Sequence, residues 1–399
     1  MVSYLIFCSF EVGGLPFRMA NTLNQHGVET YYIYLGSQAR DHDSTHFHYG
    51  DRSEPWDLSE GFQDYLWRPR AIVALLSQIK SKRHILHCFA TGRNAYLLKK
   101  AGMKYKYWSY GSDIDQECFI RMPLSNTPVC KRFIKHPYRI VSERSDARKS
   151  ICDATSVMIA PYQSERLNSI CRDKEMFFLP HYFKTVDYQV LLQQKAQNEK
   201  IISTQIRARR YFFSSTRHVW SGSLRDMMDN KGNDILLKSY AIFRELAKDH
   251  RSKLVLVKKG PDVQSSKLLS QTLGIEEDIV WIDEMRRDEL DRYYQGATIC
   301  FGQFGTPVIT YAALEPLANG TISISLSNEN NSVVPFYKER PPIFNSKDPK
   351  EIAEFMVRVL LGKENDADLS YKSWLWVQNH CSEEIFVKSF TKVFEEEAS

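Results

Sequence analysis

The stretch from Phe212 to Lys238, FFSSTRHVWSGSLRDMMDNKGNDILLK, decides how this chain is read. Its apolar opening, joined to Tyr211, has the length of a buried strand. Its middle is a polar loop carrying Arg217 and Lys231. From Asn233 or Asp234 apolar residues recur at helical spacing as far as Asp249. Strand, loop and helix make one βα unit, and the pattern repeats downstream. Strands are predicted over Lys253 to Val257, Ile279 to Ile282, Thr298 to Phe301 and Thr321 to Ser325, with helices over Ser265 to Leu273, Asp288 to Gln295 and Tyr311 to Ala318. Regular alternation of this kind implies a parallel, doubly wound sheet.

Upstream the same rhythm appears. Val2 to Phe10 is an apolar strand ending at Gly13-Gly14, and Leu15 to His26 has helical spacing until Gly27 stops it. Tyr31 to Leu35 reads as the next strand, followed by a polar loop to Pro55. His84 to Phe89, Tyr105 to Tyr110, Ala154 to Pro161 and Met176 to Pro180 read as further strands, with a helix from Asn94 to Lys100. Gln189 to Arg210, which holds QQKAQNEK and then RARR, reads as a linker. The expected organisation is a Rossmann-like domain over 1–195, a second over 205–375, and a tail over 376–399 that packs back toward the first. The tail belongs to a helical segment, Lys372 to Glu397, which carries Trp374, Trp376, Phe386, Phe390 and Phe394.

Composition limits the function. With 399 residues and 43% hydrophobic side chains the chain is long enough for two cores. A net charge of +5 is mild for this length and argues against nucleic acid as a partner. The eight cysteines (8, 88, 118, 130, 152, 171, 300 and 381) have no CxxC pair and read as reduced, mostly buried thiols. No stretch approaches the roughly 20 apolar residues of a spanning helix, and the first residues lack a basic leader. The expected location is cytoplasmic, with peripheral contact at the inner face of a membrane left open.

Three groups of residues suggest chemistry. Arg217 and Lys231 flank a loop that leads to a helix start, where free N–H groups and the positive dipole end favour an anion. Two cations beside such a site would neutralise a diphosphate and stand in for a metal; the alternative reading is that Arg217 and Lys231 are solvated loop charges. His42, His46 and His48 share a polar loop but lack partners at metal-ligand spacing, so no metal is expected. A basic run, Lys131, Arg132, Lys135, Arg139, Arg144, Arg148 and Lys149, suits an anionic lipid or a lipid-diphosphate acceptor, or is a solvated helix face.

The order of these features resembles the retaining glycosyltransferases of the GT-B fold, in particular family 4 (glycosyl transferases group 1). Arg217 and Lys231-Gly232 look like the family's diphosphate-holding Arg and Lys-Gly. Leu254 to Gly260, Leu273-Gly274-Ile275, Val280-Trp281-Ile282 and Leu290 to Ala297 follow in the family's order, so the resemblance covers most of residues 211 to 326. Glu315 matches the second Glu of the Glu-x7-Glu motif, which hydrogen-bonds the donor ribose. The first Glu of that motif falls on Pro307, and the backbone of Phe304-Gly305-Thr306 is the expected substitute contact to sugar or phosphate. Gly13 and Gly14 resemble the family's glycine-rich first turn. Trp108 to Ile114 resembles its His-Gly-Ser-Asp-Ile segment, with Tyr110 in place of the His and Asp113 kept to bind hydroxyls.

The resemblance implies two facing Rossmann-like domains, donor on the second and acceptor on the first. It implies transfer of a sugar with retention, in surface polysaccharide assembly. Arg217, Lys231 and Asp113 are the expected catalytic residues, with Gly13, Gly14, Gly305, Thr306 and Glu315 on the donor. No cofactor is implied beyond a UDP- or GDP-linked sugar as co-substrate, and the acceptor is a glycan or is lipid-linked. The rival readings are a sugar-nucleotide 2-epimerase of the same architecture, a non-catalytic sugar-binding subunit, and a metal-dependent transferase using Asp113-Ile114-Asp115.

Overall fold

The computed structural model describes residues 3–9, 14–36, 54–66, 68–109, 137–159, 163–221, 230–248, 252–327, 337, 339–364 and 366–395. By its internal contacts the chain forms two compact units, Met1–Leu179 with Val387–Ser399, and Pro180–Phe386.

The first unit begins with β1 (Ser3–Cys8), α1 (Leu15–Gln25) and β2 (Thr30–Tyr34), followed by α2 (Pro69–Arg83), β3 (Ile85–Thr91) and α3 (Tyr96–Lys100). It continues through β4 (Lys106–Trp108), α4 (Pro137–Cys152), β5 (Val157–Met158), α5 (Ser164–Ile170) and β6 (Met176–Phe177). The sheet is parallel, in the order β2-β1-β3-β4-β5-β6. β1 is buried along its whole length, as expected of a strand with both faces covered. Leu5, Phe7, Ile33, Leu76 and Tyr107 sit together in the core.

The second unit runs α6 (Tyr188–Gln205), β7 (Arg210–Ser214), α7 (Asn233–Ala247), β8 (Ser252–Val257), α8 (Val263–Thr272), β9 (Ile279–Ile282) and α9 (Arg287–Gly296). Then come β10 (Ile299–Phe301), α10 (Tyr311–Ala318), β11 (Ile322–Ile324), β12 (Ile343–Phe344), α11 (Pro349–Leu360) and α12 (Asp366–Cys381). Its sheet, also parallel, has the order β12-β11-β10-β7-β8-β9. A last helix, α13 (Glu383–Glu395), spans the division between the units at Phe386.

Three expectations change. The stretch from Gln189 to Arg210 is not an open linker: most of it is α6, capped by Asp187, whose carboxylate accepts from the backbone N–H groups of Gln189 and Val190. The helix belongs to the second unit, so the boundary falls at Leu179/Pro180 where the sequence placed it near residue 195. The helical tail is two helices broken at Ser382, and from Val387 onward it groups with the first unit. There Phe390 lies 5.6 Å from both Tyr4 and Phe89, and Phe394 lies 5.5 Å from Tyr4, ring centre to ring centre.

The cysteines are not all reduced. Cys152, at the end of α4, and Cys171, just after α5, form a disulfide, while Cys8, Cys88, Cys300 and Cys381 are buried free thiols. Spacing carries no warning of this pair, because two helices packed on one sheet bring their ends together. Cys118 and Cys130 lie outside the described residues. Among the described residues no helix is long and apolar enough to cross a membrane.

Candidate functional site

In the second sheet β7 lies between β8 and β10, so the chain winds one way through β8 and β9 and the other way through β10, β11 and β12. The carboxyl ends of β7 and β10 therefore flank a topological switch point, where open α/β sheets bind ligands. Side chains tie the two strand ends together. Ser214 Oγ donates to Phe301 O at 3.1 Å, and Thr216 Oγ1 to Gly302 O at 3.2 Å.

Over this edge three loops interlock. Lys231 N donates to Val219 O at 2.7 Å, and Val219 N to Asn233 Oδ1 at 3.1 Å, which fastens the loop after β7 to the start of α7. Phe304 N donates to Lys231 O at 2.9 Å, and Thr306 Oγ1 to Asn230 O at 3.2 Å, which brings the loop after β10 onto the same place. Gly232 caps α7 with φ +66°, and a Cβ there would sit 2.6 Å from Gly305 N. Only glycine fits such a left-handed, backbone-to-backbone approach. The structure thus places Lys231, Gly232, Gly305 and Thr306 side by side.

Arg217 is exposed on the loop after β7. His218 N donates to Lys259 O at 2.7 Å and Asp262 N to His218 O at 3.0 Å, joining that loop to the end of β8. The Asp262 carboxylate accepts from Trp220 N at 2.6 Å and from Ser221 N and Oγ at 2.8 and 2.7 Å. Burial opposes its charge, but the bonds from Ser221 and Trp220 outweigh that and hold Asp262 below the usual carboxylate range. His218, buried with Nδ1 2.8 Å from Ser266 Oγ, is held near 4 by burial and is neutral at pH 7.

Glu315 is buried on α10. One carboxylate oxygen meets Arg287 Nη1, and the other accepts from Tyr294 OH at 2.6 Å, whose oxygen is itself 2.6 Å from Ser215 Oγ. Arg287 Nε also meets Asp291 at 3.3 Å. Burial alone would lower the guanidinium, but Glu315 and Asp291 overcome it, and Arg287 stays charged. Burial and then Glu315 push Tyr294 well up, so its hydroxyl remains a donor. His181 lies nearby, with Nδ1 2.6 Å from Tyr337 OH and its ring edge-on to Tyr311, and burial lowers it to about 4.

Of the expected site residues, Arg217, Lys231, Gly305, Thr306 and Glu315 are all placed by the carboxyl edge of the second sheet. Gly14 belongs to the first unit, where it caps α1 with φ +69°. Gly13 and Asp113 lie outside the described residues, as do Tyr110 and Ile114, Asp115, the histidines at 42, 46 and 48, and Lys131, Arg132 and Lys135 of the basic run. Among the described residues no group of three His, Cys, Asp or Glu side chains could hold a metal. Sequence reasoning missed Arg287, Tyr294 and Ser215, which surround Glu315. The first two stand in RRDELDRYYQ, where the i, i+7 spacing puts Arg287 and Tyr294 two turns apart on one face of α9. Only the fold shows that Glu315 faces them.

Residues 221–374 match the model of a family described as glycosyl transferases group 1. No curated protein matches the chain by sequence. Among solved structures, a glycosyltransferase from Rickettsia africae superposes with a TM-score of 0.61 at 12% identity, over 99% of this chain and 98% of its own. A sucrose-phosphate synthase from Thermosynechococcus elongatus gives 0.60 at 11% identity, with both chains covered fully. HepE from Anabaena, in complex with UDP, gives 0.59 at 10% identity, over 99% of this chain and all of that one. At such identities the shared property is the fold, a GT-B architecture of two Rossmann-like units.

Proposed function

We propose that this chain, a glycosyltransferase, moves a sugar from a nucleoside diphosphate donor on its second unit to a glycan or lipid-linked acceptor served by its first. The observation that carries this reading is the meeting of Lys231-Gly232 with Gly305-Thr306 at the switch point, inside the segment that matches the glycosyltransferase family. Lys231, Arg217 and the start of α7 would hold the diphosphate and stabilise its growing charge as the glycosidic bond breaks. That charge work is why we read the reaction as independent of metal. The UDP complex of the Anabaena relative supports a UDP donor, with GDP as the alternative.

Retention of configuration follows in this proposal from the departing diphosphate taking the acceptor proton on the face it leaves. Gly13, Gly14 and Asp113 are assigned to the acceptor side or the donor phosphates. The expected setting is surface polysaccharide assembly at the cytoplasmic face, with peripheral membrane contact through a lipid-linked acceptor. The test is a thermal-shift titration of UDP, GDP, CMP and ADP with and without EDTA, on the wild type and on Lys231→Ala. One nucleotide is expected to raise the melting temperature regardless of EDTA, because it binds only the folded state, and the substitution is expected to remove most of that shift. No shift with any nucleotide, or a shift only with added metal, would sink the assignment.

A further inference from the structure

Lys258 and Lys259 follow β8 directly, and their side chains have different surroundings. Lys258 meets Asp283 at 2.7 Å, and that carboxylate is 85% exposed, an ordinary surface pair. Lys259 is more buried and meets Glu284 at 3.6 Å, longer than a direct charge-assisted hydrogen bond. Its backbone is fixed from both sides: Lys259 N donates to Val257 O at 2.8 Å, and Lys259 O accepts from His218 N at 2.7 Å. Gly260 follows with φ +103°, and a Cβ there would lie 2.6 Å from His218 O. These contacts hold His218 against Lys259 and Gly260, and so bring the segment that carries Arg217 alongside the end of β8.

We infer that Lys259 is a third cation of the diphosphate site, acting beside Arg217 and Lys231, an inference that rests on the nucleoside diphosphate reading above. Arg217 acts on Lys259 as a like charge, a repulsion that an incoming anion would relieve. Among the described residues, charged groups that act on Lys259 include Glu284, Arg217 and Glu315. Glu315 already holds Arg287 and Tyr294. Glu284 meets the ammonium at 3.6 Å, and a diphosphate would bring a stronger acceptor set to it. Burial, with Arg217 adding to it, lowers Lys259 from its ordinary value, and a bound anion would oppose that shift.

Calorimetric titration of UDP, GDP and inorganic pyrophosphate into the full chain tests this, comparing wild type with Lys259→Met, Lys259→Arg, Lys258→Met and Lys231→Ala. Lys259→Met is expected to weaken nucleotide and pyrophosphate roughly tenfold, Lys259→Arg to recover most of it, and Lys258→Met to stay within about twofold. Wild-type affinity is expected to fall as pH rises into the range where a lowered lysine loses its proton, and Lys259→Met to lose that dependence. A merely structural Lys259, paired to Glu284, would change the melting temperature and leave both affinities and their pH dependence alone. Equal binding by wild type and Lys259→Met, with Lys231→Ala still defective, overturns this inference and keeps the wider reading. Absence of any binding to wild type overturns both.

Discussion

At the scale of single residues, the group with most at stake is Glu315. Removing one member of a largely buried ion pair leaves the other charge uncompensated, and here Tyr294 would lose its acceptor as well. Glu315→Ala is expected to lower unfolding free energy by about 2–4 kcal/mol, less than the cost for a fully dry pair because Arg287 is 31% exposed. Tyr294→Phe, which removes one hydrogen bond to a charge, should cost about 1.5–3 kcal/mol. Denaturant titration measures both, and a smaller effect for Glu315→Ala than for Tyr294→Phe would contradict the geometry. A pH prediction belongs beside it. His181 and His218 are held near 4 in the folded state, below the ordinary histidine value of about 6.5. Between those values the unfolded chain binds more protons, so stability is complete above about pH 6.5 and is lost as pH falls toward 4. Melting temperature followed from pH 7 to 4 should decline, and His218→Asn should shallow the decline. Much of this scale was illegible beforehand. The sequence places Arg217 and Lys231 on loops at a helix start, but which acid meets Arg287 depends on the register of α9 against α10, which no spacing encodes.

At the scale of elements, the loop contacts around α7 make a sharp claim. Gly232→Ala must both adopt φ +66° and push a methyl group into the backbone of Phe304 and Gly305. Backbone cannot yield as a flexible side chain can, so we expect a loss of at least about 1–2 kcal/mol together with loss of nucleotide-induced stabilisation. Gly274→Ala, also left-handed but with nothing near its Cβ, should cost stability and leave the nucleotide response intact. The disulfide between the ends of α4 and α5 closes a loop with a sequence separation of 19. Chain-entropy reasoning gives it about 3 kcal/mol, so a reductant or Cys152→Ser with Cys171→Ser should lower the first unit's melting temperature. Elements were the most legible scale: every βα unit from Tyr211 to Ser325 is where the apolar periodicity puts it. The misreading of α6 has a physical cause. α6 buries only Leu191 and Ile202, and its polar surface reads as linker. Its docking rests instead on polar bonds such as Lys195 Nζ to Thr321 Oγ1 at 2.8 Å and Asn198 Nδ2 to Gln295 Oε1 at 2.7 Å. Polar contacts of that kind leave no hydrophobic period to detect.

At the scale of the molecule, two cores in one chain imply two separable responses. Leu5, Phe7, Ile33 and Tyr107 belong to one core, and Phe212, Leu256, Ile299 and Met356 to the other. The residues of the proposed anion site, Arg217, Lys231, Gly232, Gly305 and Thr306, belong to the second unit, whereas Phe390 and Phe394, from the far end of the chain, complete the first. Their burial was foreseeable only as aromatic residues on a terminal helix, since nothing local says which core they enter. Ending the chain after Phe386 would remove both rings, each nearly fully buried. Loss of one buried phenylalanine costs about 3–5 kcal/mol, comparable to much of a domain's whole stability. Scanning calorimetry should therefore resolve two transitions in the intact protein, with nucleotide raising one of them. In the shortened chain the other transition should fall steeply or vanish, while the nucleotide-responsive one keeps its position and its shift. If the truncation instead lowered the nucleotide-responsive transition, α13 would be stabilising the second unit, and the assignment of Phe390 and Phe394 to the first core would be wrong.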